Sequence, residues 1–123
     1  MAYQSFEELE VWKKARELKN EIAFLAKTFP AEEKYRLTDQ LIRSSRSVNV
    51  QIAEGHGRKT WPDRLRFCVI ARGSLTETLN HLIDACDEGI ISDDLLQKLR
   101  IKINEVERLL NGYISYLDRK SKE

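Results

Sequence analysis

The chain has 123 residues, 41% of them hydrophobic and 33% charged, with 5 Gly and 2 Pro; that is material for one core and too little for two. So few turn residues argue against a many-stranded sheet. A net charge of +1, from 21 Lys+Arg against 20 Asp+Glu, argues against a nucleic-acid binder that works by bulk positive charge.

The first predicted helix starts at Ser5, which forms an S-x-x-E capping box with Glu8, and runs to about Thr28, where Phe29-Pro30 stops it. Its apolar track is Val11, Ala15, Leu18, Ile22, Leu25 and Phe29. Alternating steps of four and three residues make the seam of a helix lying along its neighbours, as in a bundle.

The second helix is predicted from about Ala31 to Glu54, closed by a left-handed glycine in Gly55-His56-Gly57. Its apolar track is Leu37, Leu41, Ser45, Val48 and Ile52. A polar track of Gln40, Ser44, Ser47, Gln51 and Glu54 runs beside it. Two adjacent stripes imply two contact surfaces. The small serines suit close approach of another helix, either inside the bundle or between subunits. Arg43 and Arg46 point away from both stripes.

Thr60 caps the third helix, with Pro62 in its first turn and Asp63 three residues on, and the helix is expected to end near Gly89. Its seam reads Cys68, Arg72, Leu75, Leu79, Leu82, Cys86, so Arg72 projects a charge from an apolar stripe. A guanidinium there needs a carboxylate partner or a wet functional surface. The expected arrangement is a structural ion pair with Glu54. The fourth helix starts at Ser92, with Asp93 and Asp94 in the first turn, and runs to about Arg119 on the track Leu99, Ile103, Val106, Leu110, Tyr113, Leu117.

Four long helices with short connections predict an all-α, antiparallel up-down-up-down four-helix bundle, a single domain over residues 1–123. Cys68 and Cys86, about 27 Å apart along one helix, cannot bridge each other and read as core thiols. There is no run of about 18 apolar residues. The N-terminal segment carries acids where a signal peptide carries a basic stretch. A cytoplasmic location with no membrane partner is therefore expected.

The near-zero charge is unevenly spread. Residues 43–72 hold seven basic and two acidic side chains, a balance of +5, and residues 73–111 hold four basic and eight acidic, a balance of −4. The basic segment contains Arg43, Arg46, Arg58, Lys59, Arg64 and Arg66, with His56 and the ring of Trp61 among them. Such a combination can contact phosphates and stack on a base. It can equally solvate a surface, with Trp61 packing the start of its helix, or dock on the acidic half of a second copy. Catalytic constellations are weak: His56 and His81 lack motif neighbours, and Ser74 lacks the strand-to-helix setting of a nucleophile elbow. No P-loop, dinucleotide fingerprint or Glu-x-x-His pair is present. No enzyme, cofactor or metal site is expected.

Five segments in register, Phe6-Glu7-Glu8-Leu9-Glu10-Val11-Trp12, Phe29-Pro30 with Glu33, Gln40-Leu41-Ile42-Arg43-Ser44, Ile52-Ala53-Glu54-Gly55 and Ile70-Ala71-Arg72-Gly73-Ser74-Leu75, carry a resemblance. They resemble the four-helix-bundle proteins encoded in intervening sequences of bacterial 23S ribosomal RNA genes, the S23 ribosomal protein family. The chain departs from that pattern at Arg46, Asn49 and Gln51; the family usually carries Pro and Asn at the last two. The resemblance implies a homo-oligomeric ring, a pentamer, whose partners are further copies of itself and structured RNA. A related group, the accessory protein of diversity-generating retroelements, is similar and implies the alternative of an adaptor ring that recruits a nucleic-acid enzyme such as a reverse transcriptase.

Overall fold

In the computed structural model of the protein, residues 5–123 are described. Their regular structure is all helical, with no strand among them. The four α-helices are α1 (Glu10–Ala26), α2 (Leu37–His56), α3 (Trp61–Asp87) and α4 (Asp93–Ser121). Helix α1 packs on α2 and α4, and α3 packs on the same two. Val11, Ala15, Leu18 and Ile22 of α1 are buried with Leu41, Val48 and Ile52 of α2. Leu75 and Leu82 of α3 and Leu99, Ile103, Val106, Leu110 and Leu117 of α4 complete the core. Each fully buried leucine or isoleucine contributes about 1.5–3 kcal/mol, so the seams read from spacing are the principal source of stability.

Helix ends follow local chemistry, and three depart from expectation. The Ser5 hydroxyl accepts the Glu7 N–H at 3.2 Å and caps a separate 3₁₀ turn, Phe6–Glu8. Leu9 is extended, so α1 begins only at Glu10. The turn is held by Phe6, whose ring meets Trp12 edge-on at 5.1 Å. Residues Ala31–Glu33 form another 3₁₀ turn, and α2 starts at Leu37, whose N–H is taken by the Glu33 carboxylate at 3.3 Å. Arg36, at φ −119° and ψ −107°, is what separates the two. Thr60 and Ser92 cap α3 and α4 as expected, accepting from Asp63 and Leu95.

Gly55 does not end α2 in a left-handed turn. The helix runs through it, and the closing residue Gly57 has φ −79°. Among the described residues, the glycine with positive φ is Gly89, at 74°, just past α3. Gly55 is required for a different reason. A Cβ there would lie 2.9 Å from the Cβ of Phe67 and 3.1 Å from the Arg64 carbonyl oxygen. The polar stripe of α2 is likewise a contact inside the chain. The Thr78 hydroxyl donates to Ser44 at 2.9 Å, Ser44 donates to the Leu41 carbonyl, and Ser47 and Ser74 share a hydrogen bond at 2.9 Å.

The expected Glu54–Arg72 ion pair is not formed. Glu54 pairs with Arg58 at 2.7 Å, and Arg72 donates to the Asn111 side chain of α4 at 3.1 Å. Register explains it: with Ser47 opposite Ser74 and Gly55 opposite Phe67, Glu54 lies level with the second turn of α3 and more than a turn short of Arg72. Asn49, at one of the departures from the family pattern, donates to the Trp12 carbonyl at 3.1 Å and ties α2 to α1. The Gln51 Oε1 is buried and, among the described residues, without a hydrogen bond.

The two glycine environments predict opposite effects of a methyl group. Gly112, inside α4, has nothing within 4 Å of its would-be Cβ, so Gly112→Ala raises the unfolding free energy by about 0.5–1 kcal/mol. Gly55→Ala gains the same helix propensity but overpacks, at about 1–3 kcal/mol. Urea denaturation should show a net loss, of up to about 2.5 kcal/mol, where Gly112→Ala shows a gain.

Candidate nucleic-acid interface

Four residues, 57–60, join α2 to α3, and a cluster of cations is built around them on aromatic supports. Arg58, bonded to Glu54, lies over the Phe67 ring at 4.5 Å, and Arg66 lies near the same ring at 5.4 Å while pairing with Asp63 at 3.3 Å. Arg64 donates its Nε to the Arg58 carbonyl at 2.7 Å and stacks over Trp61 at 4.6 Å. Lys59 is exposed and, among the described residues, forms no ion pair. The turn is thus cross-linked through Arg64, whose charge is fixed on the Arg58 carbonyl and the Trp61 ring, while the Arg58 charge is held by Glu54 and Phe67. A guanidinium over a ring gains about 0.5–1 kcal/mol at exposed sites; that is enough to bias its position without removing it from solvent.

Arg43 and Arg46 are not part of this cluster. They stand on the exposed side of α2, with Arg43 paired to Asp39 at 3.7 Å and Arg46 in no ion pair among the described residues. Arg43 precedes the turn by fourteen residues, about 21 Å at 1.5 Å per residue. The six basic residues therefore divide into a compact group of four and a pair farther up the helix.

Sequence reasoning missed the aromatic wall behind the turn. Trp61 meets Tyr116 of α4 edge-on at 6.2 Å and 86°, and Tyr116 is parallel to Tyr113 at 6.2 Å and 12°. With Leu9, His56 and Arg64 these three rings line a cleft of about 300 Å³. Among the described residues, its lining holds no carboxylate. Trp61 is half-buried against the core as well as facing this cleft, so it both packs the start of α3 and presents a ring. The available signal was the spacing of Tyr113 and Tyr116, one helical turn apart, but only Tyr113 falls on the seam.

The acidic half is also gathered. Asp84, Asp87 and Glu88 at the end of α3, with Glu33, Arg36, Leu37 and Gln40 around the start of α2, line an open depression of about 430 Å³. Helix α2, about 30 Å long at 1.5 Å per residue, separates it from the basic turn. Among the described residues no group of three or more His, Cys, Asp or Glu is placed to hold a metal ion. No helix there is long and apolar enough to cross a membrane.

The family model described as 23S rRNA-intervening sequence protein matches residues 7–112. Among solved structures, the chain is similar to the crystal structure of a protein of unknown function from the S23 ribosomal protein family of Bacteroides thetaiotaomicron. Identity is 24%, the TM-score is 0.78, and the match covers 85% of this chain and 97% of that one. At that identity the likeness concerns the fold. The comparison with curated proteins gives no match.

Two titratable protons, on the buried Cys68 and the half-buried Tyr113, sit close to this region. Burial pushes the Cys68 thiol from 9.0 up to about 11. Burial, reinforced by Cys68 and opposed by Arg64, pushes the Tyr113 phenol from 10.0 up to about 12. Both groups ionise more readily in the unfolded chain, so their contribution to stability is complete below pH 9 and is lost as pH rises to 12. Urea midpoints at pH 8, 10 and 11 should fall in that order. At pH 8 iodoacetamide should label the half-buried Cys86 before the buried Cys68, which reacts only on unfolding.

Proposed function

The chain belongs to the 23S rRNA-intervening sequence protein family, and from that membership together with the basic turn we propose that it is a non-enzymatic, RNA-associated oligomer. The observation that carries this reading is the fixed cluster of Arg58, Lys59, Arg64 and Arg66 beside an acid-free aromatic cleft. Arg43 and Arg46 extend it along α2. These six side chains contact phosphates, which position a nucleic acid without reading its sequence. The carboxylate partners of Arg43, Arg58 and Arg66 are surface pairs, each contributing about 0.2–1 kcal/mol, and a phosphate replaces them readily.

The protomer is an antiparallel up-down-up-down bundle in this reading, supported by opposed registers. Ser47 and Ser44 of α2 meet Ser74 and Thr78 of α3, and Lys14 and Glu21 of α1 meet Glu105 and Lys102 of α4. Copies assemble into a cytoplasmic ring, a pentamer. Val50, one turn along α2 from Ser47, is 56% exposed; Ile70, one turn back along α3 from Ser74, is 45% exposed, and its neighbour Val69 is 42% exposed. Apolar residues grouped in this way suit a subunit contact. Ring assembly multiplies a modest local field and adds avidity.

A second reading, an adaptor ring recruiting a nucleic-acid enzyme, is favoured by Phe24 and Tyr35. These are 74% and 84% exposed at the other end of α2 from the basic turn. A stable protein partner whose capture is lost on changing Phe24 and Tyr35 to Ser would support it.

Anisotropy titration of a fluorescent RNA hairpin tests the first reading. With six phosphate contacts, affinity should fall about 10³-fold between 50 and 200 mM salt, and Arg43→Glu with Arg58→Glu should weaken it by about tenfold or more. Absence of binding at low salt, or indifference to the double variant, would sink it. Light scattering should give five times the 14.4 kDa of one chain, and Ile70→Glu should reduce that mass.

A further inference from the structure

We propose that the cleft between Trp61, Tyr113 and Tyr116 takes the base of an unpaired RNA nucleotide whose phosphates rest on Arg58, Lys59 and Arg64. This rests on the RNA reading and adds to it a recognition element for single-stranded nucleotides. The cleft holds about 300 Å³, at the lower end of the roughly 300–1,000 Å³ of small-ligand sites. That size suits one planar ring system rather than a peptide.

Its walls have two kinds of surface. Tyr113 and Tyr116 present parallel faces, tilted 12°, and Trp61 stands at 86° to Tyr116. A flat heterocycle can lie on one face and meet the next at its edge. Aromatic walls of this kind also suit a quaternary ammonium ion, but here the occupant is not a cation. The Arg64 guanidinium already lies 4.6 Å over the Trp61 ring, and no carboxylate lines the cleft to offset a second positive charge. A purely apolar occupant would leave the Arg64 charge on the rim without an anionic partner. A base with its phosphate satisfies both surfaces, the ring on tyrosine and the anion on arginine.

Chain connectivity strengthens this assignment. The Arg64 Nε is anchored to the Arg58 carbonyl at 2.7 Å, so the residue on the cleft wall and the exposed turn Arg58-Lys59 form one unit. A nucleotide in the cleft has neighbouring phosphates directed along that turn. Base stacking of this sort is indifferent to base identity, as every base has a π-face.

The test compares a hairpin RNA with an intact loop against the same hairpin carrying abasic loop residues, by anisotropy at 50 mM salt. The wild-type protein should bind the abasic hairpin about tenfold more weakly. Tyr116, 40% exposed, can be shortened with little disturbance of the core. Tyr116→Ala should lose about tenfold on the intact hairpin and bind both hairpins alike, while Tyr116→Phe, which keeps the ring, should match wild type. Equal binding of the two hairpins by wild-type protein overturns the cleft assignment and leaves the phosphate reading standing. The same holds for Tyr116→Ala that still discriminates between them. Failure to bind either hairpin overturns both.

Discussion

Where Ser47 meets Ser74 at 2.9 Å and Gly55 leaves no room for a methyl group against Phe67, α2 and α3 are held at a separation that larger side chains would not permit. Hydroxyls make this closeness tolerable, because the oxygens of Ser44, Ser47, Ser74 and Thr78 each find a partner. Thr78 donates to Ser44, and Ser44 to the carbonyl of Leu41. A buried hydroxyl left without such a partner would cost about 1–3 kcal/mol. The register set along this line places Arg64 and Phe67 beside the end of α2 and carries Arg72 past Glu54 to Asn111 of α4.

The proposed RNA contact depends on where cations are allowed to rest. Arg58 and Arg66 share the ring of Phe67, and Arg64 has the ring of Trp61. Phe67 is itself positioned by the absence of a side chain at Gly55. Packing and electrostatics are thus joined through single residues. An arginine lying on a ring keeps its charge in solvent while giving up part of its conformational freedom before any ligand arrives.

The four seams were legible because burial imposes a period. Val11, Ala15, Leu18 and Ile22 or Leu99, Ile103, Val106 and Leu110 can lie together only on helices, and they form the core. The caps at Thr60 and Ser92 were legible because their hydroxyls have a local use. Partner choice was not. Glu54 had Arg58 four residues away on the same chain, a contact that needs little search, and its pairing with Arg72 required a register that no local pattern encodes. The break at Arg36 was hidden for a related reason, since the Glu33 carboxylate that caps Leu37 also looks at home inside a helix. The cleft was half legible: Trp61 stood out as a ring among cations, but its meeting with Tyr116 depends on the last turns of α4 reaching the start of α3.

The glycine at position 55 has one more implication. A methyl group there would push on the Cβ of Phe67 and on the carbonyl of Arg64, so the ring carrying two guanidinium groups and the backbone of a third arginine would move together. The charge count would be unchanged. On the proposed RNA reading, divergent copies of such a chain lose or retune their grip on a polyanion through a substitution that is electrically silent and touches no ligand, and a comparison of surface charge alone ranks them as equals.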